Sequence, residues 1–141
     1  MRRPQIVIDT SVLLAGLRSR RGQAFRLLQL VGTDRFEINL SVPLVIEYES
    51  VLLRELPNLP VPHAVIEDVI NFHCAIANRH QIFFLWRPFL RDPKDDMVLE
   101  LEVKAGCDAI VTYNKRDFAG VEETFKVRVV EPGEFLKDIG A

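Results

Sequence analysis

Short runs of β-branched and other apolar residues alternate along this chain with longer segments whose apolar residues recur every three or four positions. That alternation predicts an α/β domain with a mainly parallel sheet. Gln5 to Ile8 reads as a fully buried strand ending at Asp9. Ser11 to Leu17 and Gln23 to Val31 read as helix, separated by the cationic loop Arg18-Ser-Arg20-Arg21-Gly22. Phe36 to Leu40 is a second strand. Ser41 and Pro43 then supply a cap and a first-turn proline for a helix reaching about Glu55, with Leu44, Tyr48, Val51, Leu52 and Leu56 as its apolar stripe. Pro57, Pro60 and Pro62 mark a loop between two helices, and His63 to Asn78 is the second of them. Ile82 to Trp86 is a further buried strand. From Met97 the pattern is double. Leu99-Glu-Leu-Glu-Val-Lys alternates like a strand, while Met97, Leu101 and Ala105 lie at helical spacing. Helix is preferred, because Asp95 and Asp96 suit the positive end of its dipole and Gly106 suits its C-terminal cap. Ala109 to Thr112 and Lys126 to Val130 complete the strands, with a short helix after Pro132. No internal repeat or low-complexity segment interrupts this order.

Composition narrows the class. The 141 residues are 48% hydrophobic and 27% charged, which fits one globular domain spanning 1–141. No stretch approaches the roughly 20 apolar residues of a membrane span. Arg2 and Arg3 precede the apolar run from Ile6 to Gly16 as in a secretion signal, but Asp9 interrupts it, and the segment reads as mature fold. A net charge of −2 argues against a strongly basic nucleic-acid binder, so any polyanion has to be held locally, by clustered cations or by a metal. Cys74 and Cys107 form no C-x-x-C pair, and His63, His73 and His80 do not join them in a zinc spacing. Two free thiols suit a cytoplasmic protein.

Ligands of open parallel sheets bind beyond the carboxyl ends of the strands. The first strand ends in Asp9-Thr10-Ser11, and another ends in Thr112-Tyr-Asn114-Lys115-Arg116-Asp117. Glu47 and Asp96 lie near the starts of two helices. Gathered at one end of the sheet, these carboxylates repel one another unless a cation joins them, and oxygen ligands suit Mg²⁺ or Mn²⁺. Each acid also has a plainer reading. Asp9 fits an N-cap, and Glu47 fits a half-buried flank 40° from Val51, at ~100° per residue. Asp92, Asp95 and Asp96 fit a turn and a cap, and Asp117 fits a solvated loop.

Four motifs occur in order: Ile8-Asp9-Thr10-Ser11-Val12-Leu13, Ser41-Val-Pro-Leu-Val-Ile-Glu47-Tyr-Glu-Ser-Val51-Leu52, Asp92-Pro-Lys-Asp-Asp96, and Val111-Thr112-Tyr-Asn114-Lys-Arg-Asp117-Phe118. Together they resemble the PIN-domain nucleases, and within them the toxin components of toxin–antitoxin pairs (VapC-like). The resemblance covers roughly residues 5 to 130. It implies a three-layer α/β/α sandwich with a central, mainly parallel sheet, and Mg²⁺- or Mn²⁺-dependent cleavage of RNA by one or two ions. By matching positions, Asp9, Glu47 and Asp96 are the catalytic, metal-holding acids. Many family members have an acid where this chain has Asn114, whose neutral oxygen holds a second ion more weakly. Asp117, three residues later, is the alternative fourth ligand.

The resemblance further implies in-line attack of a metal-activated water on a phosphodiester. Thr10, Ser11 and Thr112 then orient carboxylates or waters. Arg18, Arg20, Arg21, Lys115 and Arg116 are the candidate grips on the RNA backbone. Tyr113 is a candidate stacking surface for an unpaired base, whereas Phe25, Phe83 and Phe84 read as core. A small antitoxin protein is the implied partner, and a homodimer through the helices of residues 44 to 78 is a further expectation. The alternative in another class is a PIN-fold module that binds RNA or protein without cutting. A phosphatase with Asp9 as nucleophile fits less well, because Ser11 stands where a second Asp is wanted. The chain has no phosphate-binding Gly-Lys-Ser/Thr loop, and no histidine base lies near a serine or cysteine nucleophile in sequence.

Overall fold

Ile6, Val7 and Ile8 are fully buried, and the strand they form, β1 (Gln5–Ile8), is the middle of the sheet. The computed structural model describes residues 2–81 and 89–141. After β1 come α1 (Thr10–Arg18), α2 (Gln23–Leu30), β2 (Glu37–Leu40), α3 (Val42–Glu55), α4 (His63–Ile76) and β3 (Asn78–Arg79). The chain resumes with α5 (Pro93–Ala105), β4 (Ala109–Val111), α6 (Val121–Phe125), β5 (Arg128–Val130) and α7 (Pro132–Asp138). Among the described residues the strands form one all-parallel sheet in the order β3-β2-β1-β4-β5, with Ile6 opposite both Ile38 and Ala109, and Ile8 opposite Val111. Helices flank this sheet in a three-layer α/β/α sandwich, as the sequence predicts.

The core explains that arrangement. β1 and β4 are buried along almost their whole lengths, as expected of central parallel strands. Val98, Leu99 and Leu101 bring α5 against β1, β2 and β4. Leu44, Tyr48 and Leu52, three members of the predicted α3 stripe, are buried, and Leu52 joins Leu59, Ile66 and Ile70 in a smaller cluster between α3 and α4. The Ser41 hydroxyl caps α3 by accepting from the amide of Leu44 at 3.3 Å. No helix among the described residues is long and apolar enough to cross a membrane.

Several predicted boundaries move. The second helix of the pair stops at Ile76 rather than Asn78. Asn78 instead enters the sheet edge, its side-chain amide donating to Gln5 Oε1 at 3.1 Å and to Glu37 Oε1 at 2.8 Å. The bond from Asn78, and then one from Gln5, hold the Glu37 carboxyl below its ordinary range. The strand expected over Ile82 to Trp86 lies outside the described residues, as do Phe83 and Phe84. Phe25, read as core, is only partly buried and lines a groove between α1, α2 and α4. α5 begins at Pro93, four residues before Met97, because the Asp92 carboxylate accepts from the amide of Lys94 at 2.9 Å and caps it. The strand expected from Lys126 starts at Arg128. Residues 121–125 form the unanticipated α6, which Lys126 closes at φ +56°.

Candidate active site

The strand order reverses between β1 and β4: the chain first builds outward on one side of β1, then returns to its other side. Such a switch point leaves a crevice at the carboxyl ends of the two strands. Asp9 follows β1 directly and Thr112 follows β4 directly. The backbone N–H of Asp9 still pairs with the Val111 carbonyl at 2.9 Å, so the carboxylate is fixed to the end of the sheet. Asp9 does stand at the N-cap position of α1, but its carboxylate makes no capping bond there. Its Oδ2 instead accepts from the hydroxyls of Thr112 at 2.7 Å and Ser11 at 2.8 Å. Those hydroxyls accept in turn from the backbone amides of Asn114, at 2.9 Å, and Tyr113, at 3.2 Å. Beneath them the buried Tyr48 hydroxyl donates to the Ile8 carbonyl. Burial, then the charge of Asp9 and that of Cys74, pushes the Tyr48 phenol well above its ordinary pKa.

A cleft of about 260 Å³ opens over this network. Asp9, Thr10, Ser11, Glu47, Asn114 and Asp117 all line it, so seven of the eight predicted acid-site and orienting positions have been brought together or next to one another; Thr112 is the member that lies below, fully buried. Glu47 reaches the cleft with Val51, the neighbour its helical spacing indicates. Asn114 and Asp117 both face it, because residues 115–118 make a 3-10 turn in which the Asp117 amide donates to the Asn114 carbonyl at 2.9 Å.

Asp96 is placed apart from the other expected acids. It is buried, and its Oδ1 accepts from the amides of Leu90 at 2.7 Å and Phe89 at 3.1 Å. It braces the backbone ahead of α5 and is not among the residues lining the cleft. The acid lining the cleft from this helix is Asp95. Its carboxyl is pushed up to about 7, first by burial and then by the charges of Asp117, Asp9, Asp92 and Asp96. No sequence signal separates the two acids: Asp95 lies three residues before Val98 and Asp96 three before Leu99, and both of those side chains are buried. Lys94 also lines this cleft and was missed; its Nζ lies 3.7 Å from Glu47 Oε1.

The predicted cations separate into two groups. Lys115 and Arg116 line an adjoining cleft of about 730 Å³ with Phe89, Arg91, Tyr113 and the shared acids Asp92, Asp95 and Asp117. Arg18, Arg20 and Arg21 do not join them. Asp9 precedes the first residue of α1 and Arg18 is its last, so the helix holds them roughly 13 Å apart at ~1.5 Å per residue. Arg18 pairs there with Glu55 at 3.3 Å.

Among the described residues no three acids, histidines or cysteines close into a ready-made cage. The donor set nonetheless fits a hard divalent ion: carboxylate and amide oxygens, no sulfur or imidazole, and an acid whose charge its neighbours oppose. No curated protein matches the chain. A family model described as PIN domain matches residues 5–116, which runs from β1 through the Asn114 loop. PIN domains are generally nucleases and generally use divalent metal ions. With that match covering most of its length, and the acids placed at the carboxyl ends of β1 and β4, the chain belongs to the PIN-domain family.

Proposed function

We propose that residues 1–141 form a single metal-dependent endoribonuclease domain that hydrolyses RNA phosphodiester bonds with Mg²⁺ or Mn²⁺. The observation that carries this reading is the shared cleft of Asp9, Glu47, Asp95 and Asp117, in which burial first and the neighbouring acids second push Asp95 up to about 7. A divalent ion bound there supplies an activated water and neutralises charge on the phosphoryl oxygens. The protein's part is positional. Ser11 and Thr112 fix one oxygen of Asp9, leaving Oδ1 without a protein donor among the described residues. Asn114 contributes a neutral oxygen beside Asp117. Arg91 and Arg116, in the adjoining cleft, offset the acids for an incoming polyanion, and Tyr113, more than a third exposed, offers a face to an unpaired base.

The cellular role we infer is that of a cytoplasmic toxin restrained by a small antitoxin protein, which rests on the resemblance of the four motifs. A homodimer through α3 and α4 is supported by Val42 and Ile46, exposed one turn apart on α3. The neutral Asn114 favours one alternative, a PIN-fold module that binds RNA or a protein without cutting.

Calorimetric titration with Mn²⁺, followed by cleavage of single-stranded RNA under the same conditions, separates the two. Wild type is expected to bind Mn²⁺ and to cut. Asp9→Asn is expected to keep the fold and lose both. An Asp9→Asn protein that cuts as fast as wild type overturns the site, and wild type that binds no Mn²⁺ at millimolar concentration supports the module.

A further inference from the structure

We propose that Lys94 is the contact for the phosphate that is cut, exchanging its ion pair with Glu47 for one with the substrate. This rests on the nuclease reading and assigns a residue that neither the four motifs nor the metal chemistry requires.

Five acids line the acidic cleft (Asp9, Glu47, Asp92, Asp95 and Asp117), and Lys94 is the one cation among its described lining residues. The five acids attract a lysine here, but its place on the helix opposes one. It is the second residue of α5, at the positive end of the helix dipole, where anions are favoured and cations are not. The reward for this placement is also slight. Nζ lies 3.7 Å from Glu47 Oε1, beyond hydrogen-bond length, and the lysine side chain is 58% exposed. Glu47 is only 18% exposed, but at that distance and with the lysine in solvent the pair is loosely held and open to exchange.

The other cations are differently placed. Lys115 holds Glu134 at 3.2 Å, Arg18 holds Glu55 on the far side of α1, and Arg91 and Arg116 line the adjoining cleft only. Among the described residues, a phosphodiester reaching the acids therefore meets five carboxylates and a single lining cation. Lysine suits the exchange, since its compact charge sits on a flexible stem and needs no fixed planar partner. Released from Lys94, Glu47 is left with a free oxygen in the same cleft.

The test measures binding of a single-stranded oligoribonucleotide to otherwise wild-type protein from 50 to 200 mM salt, with Ca²⁺ in place of Mn²⁺ so that the acids are bridged and the probe survives. Lys94→Gln is expected to weaken binding to different sequences alike and to reduce the slope of log K against log salt by about 0.7, the value for one phosphate contact to a single strand. Lys94→Arg is expected to restore the slope. If Lys94 only steadies Glu47, Lys94→Gln shifts Mn²⁺ affinity and leaves the slope unchanged, which overturns the assignment. Cleavage of the same oligonucleotide by wild-type protein with Mn²⁺ tests the nuclease reading separately. Its absence defeats that reading, whereas cleavage with an unchanged slope defeats the Lys94 contact alone.

Discussion

Thr112 donates its hydroxyl to Asp9 Oδ2 at 2.7 Å, tying together the ends of two neighbouring strands that are 103 positions apart in the chain. The same hydroxyl accepts from the Asn114 amide, so one side chain aligns the central acid and the loop opposite. Thr112→Val keeps the volume and removes both bonds. It is expected to lower stability by about 1–2 kcal/mol and cleavage by about 10–100-fold, as for other groups that orient a metal-holding carboxylate. Urea denaturation and an RNA cleavage assay check this; full activity in the variant would mean that Asp9 needs no such support.

Adjacent acids on α5 should behave in opposite ways. Asp96 holds two backbone amides, so Asp96→Ala is expected to destabilise the fold by roughly 2–3 kcal/mol, the range for losing hydrogen bonds to a charged group. Asp95→Asn is expected to leave the apo fold intact and remove Mn²⁺ binding. Paired denaturation and titration experiments distinguish them, and equal Mn²⁺ loss in both variants, without a stability difference, would reverse the assignment.

The pH dependence of stability carries the mark of Asp95. Its pKa is about 7 in the folded protein against 3.8 ordinarily, from burial first and neighbouring acids second. Between those values the folded state holds a proton that the unfolded chain has released. Stability from this group is therefore present at the acid end, lost as pH rises towards 7, and absent above it. Glu102, also pushed up to about 7 by burial and by Asp108, adds to the same trend. Asp95→Asn removes only the Asp95 part. The variant is expected to match wild type near pH 4 and to exceed it above pH 7 by ~1–2 kcal/mol, after discounting for solvent screening. Thermal melts across that range, with and without Mn²⁺, give the comparison; saturating metal at about 100 times Kd should return ~2.7 kcal/mol to wild type alone.

Gly106 closes α5 at φ +66°, donating its amide to the Val103 carbonyl at 3.3 Å while the Cys107 amide reaches the Glu102 carbonyl at 3.1 Å. A Cβ there would meet nothing within 4 Å, so only the left-handed backbone opposes a side chain. Gly106→Ala is expected to cost about 1 kcal/mol, measurable as a shifted urea midpoint. No shift would show that the helix end relaxes into another conformation.

What was legible in the sequence followed from strong local signals. Gln-Ile-Val-Ile has no competing pattern, and β1 occupies the residues it predicts. Ser41 and Pro43 announce α3 because a hydroxyl cap and a first-turn proline are both local chemistry. Asn78–Arg79 gave no such signal: two exposed residues pair with Asn39 and Leu40, and Asn78 adds side-chain bonds to Gln5 and Glu37, partners 73 and 41 positions away. The different placement of Asp95 and Asp96 was not legible for a related reason. Both suit the start of a helix, and only the backbone at Phe89 and Leu90 decides which one turns inward. The cationic loop after α1 looked relevant by composition, yet a straight helix carries it away from Asp9.

The tie between residues 9 and 112 also has a consequence for biosynthesis. Asp9 leaves the ribosome early, but its strand neighbour and the loop carrying Asn114 and Asp117 follow more than a hundred residues later. At ~5–20 residues per second, a nascent chain exists for several seconds with half of the cleft and no means of closing it. Contacts of such long sequence separation form late and slowly. The cleft is therefore completed only when residues 112–117 join the sheet, at the end of synthesis rather than during it.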